Sequence, residues 1–230
     1  IKQTAAAFVE NQSLLDMLQA DTETEKTISI TRHMVNPFVI SDRLERQSKY
    51  REKAMKYKKA AYAVAKEFDT YVLGLSAGFT HVVNNGGTTI TNLDLTEAWA
   101  DLNATDVPTQ ERAWIFDPFC IKDLYDLTGN YFSSTDFSNR QGLVTGGNPA
   151  PLLGSPVHIS TNMPSAAAGS PANNLITNIY AHKEAIGWAA QFKDDVKEEY
   201  MLELLGTLCN VRSLYGASLL AGNKGVRIMR

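Results

Sequence analysis

"DRLERQSKYREKAMKYKKAAYAVAKEFDTYVLGL", residues 42–75, contains no proline and no glycine before Gly74. Ala54, Tyr57, Ala61, Val64, Phe68, Val72 and Leu75 recur at steps of three and four, which is the apolar stripe of a helix. Ser41 and Asp42 are suited to cap its start, and Glu45 stands three residues after Asp42 in a capping-box pattern. About 32 residues at 1.5 Å each give a helix roughly 48 Å long. Such a length exceeds the usual span of a globular helix.

Upstream, residues 3–19 read as a helix carrying Phe8, Leu14, Leu15 and Leu18, followed by a polar turn. Residues 27–40 read as extended chain, and Pro37 places that segment away from the middle of a sheet. Downstream, residues 74–87 read as a loop or short strand ending in the turn signal Asn84–Asn85–Gly86–Gly87. Residues 93–103 read as a helix with Leu95, Trp99 and Leu102 on one side. A proline turn at Pro108 follows, then the strand Arg112 to Phe116, then a helix opening at Asp117–Pro118 and closed by Gly129. Residues 131–156 and 165–174 are loop-rich, with a short strand at 157–161 between them. Residues 175–180 read as extended and 182–190 as a short helix. Residues 202–220 fit neither period, and 226–229 is a last strand. Strands and helices interleave without a βα repeat, so the class is α+β.

Composition bounds the function. The 230 residues are 44% hydrophobic and 20% charged, enough to bury a large core. The net charge of −3 argues against a general nucleic-acid surface. Cys120 and Cys209 form neither a disulfide framework nor a four-ligand zinc site, and read as buried thiols of a reducing cytoplasm. No apolar run reaches the roughly 18 residues of a membrane helix, and no signal peptide is visible. The first residue is Ile1 rather than methionine, which reads as a processed or trimmed start.

Catalytic signatures are weak. Gly74–Leu75–Ser76–Ala77–Gly78 matches G-x-S-x-G, but that elbow needs a strand before the serine and a helix after it. Here the order is inverted, so a serine hydrolase using Ser76 is a remote reading. His182–Lys183–Glu184 matches half of a zinc-deaminase signature without the cysteine half. No phosphate loop, dinucleotide fingerprint or other cofactor motif occurs. Asp194, Asp195, Glu198 and Glu199 read as solvated carboxylates.

One charge pattern stands out. Between Arg43 and Lys59, eight positive charges face two glutamates, a local net of +6 in a chain of net −3. Lys49, Lys53 and Lys56 flank one side of the helical stripe, Arg51 and Lys58 the other. Two readings stay open. The lysine stems snorkel over the core, or the helix meets DNA phosphates or an acidic neighbour.

The order of the pieces resembles the major capsid proteins of tailed bacteriophages, the Hong Kong 97 fold. "NPFVISDRLERQSKYREKAMKYKKAAYAVAKEFDTYVLG" (36–74) resembles the family's extended arm entering its spine helix. "LTEAWADLNATDVPTQERAWIFDPFCIKDL" (95–124) resembles the axial-domain helix, turn, strand and "DP" helix start. "LLGSPVHISTNMP" (152–164), "AHKEAIGWAAQ" (181–191) and "LYGASLLAGNKGVRIMR" (214–230) resemble later strands in the family's order. The resemblance spans roughly residues 28–230.

It implies an extended N-terminal arm (1–40), a spine helix with part of a peripheral domain (41–85), an axial domain (86–190) and returning peripheral strands (191–230). It also implies a non-enzymatic subunit forming hexamers and pentamers of an icosahedral head around double-stranded DNA. Portal, scaffolding and decoration proteins are the implied partners, with no membrane. The implied location is the virion, assembled in the bacterial cytoplasm. An encapsulin-like nanocompartment is the alternative with the same fold. The family's motifs are structural, so no catalytic residue carries over.

Overall fold

The computed structural model describes residues 26–47, 52–84, 89–126, 151–164 and 176–230. The expected helix at 3–19, the turn residues 21–25 and 85–87, the loop-rich residues 131–150 and the loop 165–174 lie outside these residues. So do Lys49, Tyr50 and Arg51.

The chain runs β1 (Arg32–Ser41), α1 (Asp42–Gln47), α2 (Glu52–Gly74), a 3-10 turn (Leu75–Gly78), β2 (His81–Asn84), α3 (Asn92–Ala104), β3 (Arg112–Phe116) and α4 (Pro118–Asp126). Then follow β4 (Val157–Ile159), β5 (Thr177–His182), β6 (Ile186–Met201), β7 (Gly206–Leu219) and β8 (Gly225–Met229). Two sheets form, in the orders β1-β7-β6 and β2-β8-β5-β3-β4.

The long apolar stripe is helical on both sides of residues 48–51. Its described body, α2, has 23 residues. The face it buries centres on Ala60 and Val64, which pack with Val211 of β7 against Met34, Phe38, Tyr57 and Ala61. Ala54, expected in the stripe, is exposed. Ser41 accepts the Leu44 amide at 3.4 Å, so it caps α1 as expected. β1 is an edge strand, which leaves room for Pro37 without breaking a ladder on both sides.

β6 and β7 form a long hairpin, paired from Ile186↔Leu219 to Met201↔Gly206. The pairing shifts register between Ala190 and Phe192 and again between Phe192 and Asp195. Residues 182–190 are therefore not a helix, as their local pattern suggested. His182 ends β5, a turn follows, and β6 begins at Ile186. Each stretch of β6 finds its backbone partners in β7, and that pairing overrides local propensity. The ambiguous segment 202–220 is a turn and then the central strand β7. Cys209, Val211, Ser213 and Tyr215 are buried on the side of α2, while Leu208, Asn210, Arg212 and Leu214 alternate between them. Polar and apolar residues occur on both faces, which conceals a period of two.

Gly216 is required by a close approach. A β-carbon there would stand 2.0 Å from the Ser29 carbonyl oxygen, where the segment leading into β1 crosses β7.

The second core lies on the five-stranded sheet. Ile90, Leu95, Ala98, Leu102, Trp114, Phe116, Cys120, Leu124, Tyr180 and Ile228 belong to one buried cluster. A reciprocal capping box between Thr91 and Asp94 starts α3. Ala98, not Trp99, completes its buried face, and Trp99 is 39% exposed. Arg112 is fully buried at the start of β3, donating to the Pro108 carbonyl at 2.8 Å and to the Val107 carbonyl. Thus the proline turn and the strand after it are tied together by one side chain. The five-stranded sheet takes β2 from segment 41–85 and β8 from segment 191–230, so sheet membership crosses the segment boundaries drawn from sequence.

Candidate assembly surface

Helix α2 crosses the three-stranded sheet on one face, and polar side chains fasten both of its edges. Tyr57 meets Phe38 edge-on at 5.0 Å and donates its hydroxyl to Glu198 at 2.5 Å. Lys53 reaches the same carboxylate at 2.9 Å. Burial, then hydrogen bonding to Cys209 and Glu198, pushes the Tyr57 hydroxyl up from its ordinary range. The Tyr57 hydroxyl and the Lys53 ammonium hold Glu198 below the usual carboxylate range. On the other edge, Lys56 donates to the Val39 carbonyl of β1 at 3.2 Å. Beyond α2, Tyr200 donates to Asp42 at 2.7 Å, joining β6 to α1.

The residues singled out in sequence therefore divide. Lys53 and Lys56 turn inward onto β6 and β1, while Lys58 is exposed. Lys49 and Arg51 lie outside the described residues. The carboxylates expected to be solvated are in part engaged: Glu198 as above, and Asp195 with Arg212 at 2.7 Å. Asp195 is held below its usual range by that guanidinium. Glu199 is exposed.

Ser76 sits in the 3-10 turn directly after α2, fully buried, with its hydroxyl lacking any protein partner. A nucleophile needs access to substrate and an adjacent base. Ser76 has neither exposure nor a strand–turn–helix elbow around it. His182 is also buried, and burial lowers its pKa. Its Nδ1 accepts the Glu184 amide at 3.3 Å, so His-x-Glu here is a turn contact. Among the described residues no group of three or more His, Cys, Asp or Glu side chains is placed to hold a metal. Cys120 and Cys209 are both free and buried, as expected. No helix of the described residues is long and apolar enough to cross a membrane.

Sequence reading missed an exposed apolar cluster. At the β6–β7 turn Leu202, Leu204 and Leu205 are 77%, 52% and 65% exposed, with Leu205 in the left-handed region at φ 40°. A leucine held in that conformation is strained, and at this tip it leaves apolar surface exposed. The run Leu202–Glu203–Leu204–Leu205 was visible in sequence, but only the hairpin shows that it forms a tip.

No protein-family model and no curated protein sequence matches the chain. Solved structures do match it. A chain of Mycobacterium phage Che8 superposes with a TM-score of 0.71 at 16% identity, over 97% of this chain and 81% of that one. The fold is that of the Hong Kong 97 capsid proteins. The capsid structure of Cyanophage P-SCSP1u gives a TM-score of 0.66 at 17% identity, covering 97% and 80% of the two chains. The virus-like particle from Pyrococcus furiosus gives 0.57 at 10% identity, covering 86% and 76%. With the Hong Kong 97 fold in view, the parts acquire an order. The three-stranded sheet and α2 form one packed layer pair, and the five-stranded sheet with α3 and α4 forms the other.

Proposed function

We propose that this chain is a major capsid protein: a structural subunit that self-assembles into hexamers and pentamers of an icosahedral phage head around double-stranded DNA. The observation that carries the reading is the fold itself, shared along 97% of the chain with a phage capsid. Under it, the three-stranded sheet and α2 are the peripheral domain, and the five-stranded sheet with α3 and α4 is the axial domain. The subunit has no enzymatic role, which accords with a buried Ser76 and a His182 held in a turn. Its location is the virion, assembled in the host bacterium's cytoplasm with portal and, in some assemblies, scaffolding or decoration proteins.

The features of the surface suit a subunit that is finished by its neighbours. Both outer strands of the three-stranded sheet, β1 and β6, are edges among the described residues. The leucine tip lies at the far end of the longest hairpin. Isolated stability of such a subunit is coupled to assembly by mass action. The encapsulin-like alternative draws on the same fold, and no feature of the surface favours it.

The test is electron microscopy of the purified protein after size-exclusion chromatography with light scattering. Closed shells, or hexamers and pentamers, are expected. A persistent monomer or dimer from the full-length protein overturns the proposal. Shells holding an enzyme instead of DNA would move the assignment to the nanocompartment.

A further inference from the structure

From β1 to β8 the chain passes between the two layer pairs three times, at residues 75–80, 183–185 and 220–224. The three crossings lie against one another. The Ala185 carbonyl accepts the Leu220 and Ala221 amides at 2.9 and 3.1 Å, and the Gly222 carbonyl accepts the Thr80 amide at 3.0 Å. A small core of Phe79, Met163, Ile179 and Ala185 fills the junction, with Leu73, Ile186 and Leu219 packed against it. His182 leads from β5 into the middle crossing and is only 5% exposed. Its carbonyl accepts the Ala185 amide at 3.0 Å. Its Nδ1 accepts the Glu184 amide at 3.3 Å, so the neutral ring keeps its proton on Nε2. The Glu184 carboxylate stands 3.9 Å from the same Nδ1 and is held by Lys224 of the third crossing at 2.5 Å. One carboxylate thus stands between the imidazole at the second crossing and the ammonium at the third. Among the described residues, the other charged groups around the ring are Lys183 and Glu111, which pair at 2.5 Å, and the buried Arg112 opposite His182 in the β3–β5 ladder.

We propose that His182 is a proton-operated latch on the junction between the two sheets. In the neutral ring, Nδ1 holds the 182–185 turn closed through the Glu184 amide. A protonated ring carries N–H at both nitrogens. Nδ1 then no longer accepts the amide, and two donors face each other at hydrogen-bond distance. The acceptor within reach of the new Nδ1 proton is the Glu184 carboxylate, which Lys224 already holds. Drawing it toward the imidazolium weakens the Lys224 bond. A proton taken up at the β5–β6 crossing is therefore felt at the β7–β8 crossing. Burial holds the pKa of His182 below its ordinary value; Glu184 and Glu111 pull it upward, and Lys224 and Lys183 push it down. The latch is thus shut at neutral pH and opens below about pH 6.5. Glu184 stays ionised through that window, because the Lys224 hydrogen bond lowers its pKa. The device lies within one chain and does not rest on the capsid reading.

The test uses unassembled full-length subunits between about pH 7.5 and about pH 5, above the range in which ordinary carboxylates protonate. Ring-nitrogen magnetic resonance should show His182 as the Nε2–H tautomer at the upper end and protonated with a midpoint below about pH 6.5. Amide hydrogen exchange, corrected for its intrinsic pH dependence, should quicken up to about tenfold over residues 183–186 and 220–224 as that midpoint is crossed, the net worth of about one internal hydrogen bond. His182→Asn is the decisive variant. An asparagine oxygen accepts the amide two residues on, as it does in turns, and does not titrate. The acid response at both crossings should vanish in it. A ring that stays neutral down to about pH 5 overturns the proposal, and so does one that titrates with no change of exchange at 220–224. An equal acid response in His182→Asn assigns the effect to other groups and overturns it as well. If that variant does not fold, the wild-type titration decides by itself.

Discussion

Trp114 is the group on which the core of the five-stranded sheet converges. It is fully buried in the middle of β3. Its ring stacks on Tyr180 at 3.8 Å and lies parallel to Phe116 at 5.7 Å. Its indole N–H donates to the buried Leu152 carbonyl at 3.0 Å, holding the turn before β4 against β3. Trp114→Ala opens a cavity, a loss of about 3–5 kcal/mol by itself. It also removes one of the two hydrogen bonds that the Leu152 carbonyl accepts, the other coming from the Ser155 amide at 2.9 Å, a further cost of about 0.5–1.5 kcal/mol. A domain is stable by only about 5–15 kcal/mol, so this variant removes a large share of the subunit's stability. Trp114→Phe is the sharper experiment. It keeps a ring between Tyr180 and Phe116 but removes the donor and the fused second ring. The expected cost is about 2–3 kcal/mol, from the volume of the lost ring and the lost indole bond together. For a chain of this size that lowers Tm by about 5–10 °C. Urea unfolding of unassembled subunits, followed by circular dichroism, reads the change as a lower midpoint at unchanged slope. A loss below about 1 kcal/mol in Trp114→Phe would show that the core closes over the missing ring and that the indole bond does not anchor this edge.

Acid should loosen the subunit. Glu198, Asp195 and Glu184 have folded pKa values lowered by hydrogen bonds from Tyr57 and Lys53, from Arg212, and from Lys224 respectively. Their contribution is complete above the ordinary carboxylate range and is lost as pH falls through the lowered values. Melting temperatures should therefore ease downward below about pH 6.5, where the unfolded chain protonates His182 more readily than the folded one, and fall further below about pH 4, that second fall being less steep in Glu198→Gln; an identical acid limb in that variant would dismiss the helix–strand link. Ser76→Ala should leave stability unchanged or raise it, because the buried hydroxyl it removes has no protein partner, and the wild type should show no labelling by a fluorophosphonate probe. Labelling at Ser76 would revive the hydrolase reading. Replacing Leu202 and Leu204 with serine should leave the melting temperature of free subunits within about 1–2 °C while reducing shell yield, since these side chains are largely exposed among the described residues. A fall in subunit stability instead would mean that the tip packs on its own chain.

Much of the architecture was legible in the chain because it is encoded over short distances. The α2 stripe repeats within one helix, and nothing in its sequence interrupts it. The run Arg112–Ala113–Trp114–Ile115–Phe116 lies between two prolines that limit where a strand can begin and end. The capping signal at Ser41 acts over three residues. These elements, in their order, were enough to suggest the capsid fold before any pairing was known. The family's motifs consist of such local signals, which is why the resemblance could be read without the structure.

Tertiary structure alone decided the strands of the long hairpin and the direction of the lysines. Residues 182–190 look helical in isolation, and only the ladder with β7 makes them the end of one strand and the start of another. Lys53 meets a carboxylate 145 positions away, and Lys56 meets a carbonyl of the preceding strand. A helical wheel assigns a lysine to a flank, but whether it faces solvent depends on what that flank meets. Sequence period determines which residues share a face; the sheet laid against the helix determines which of those faces it covers.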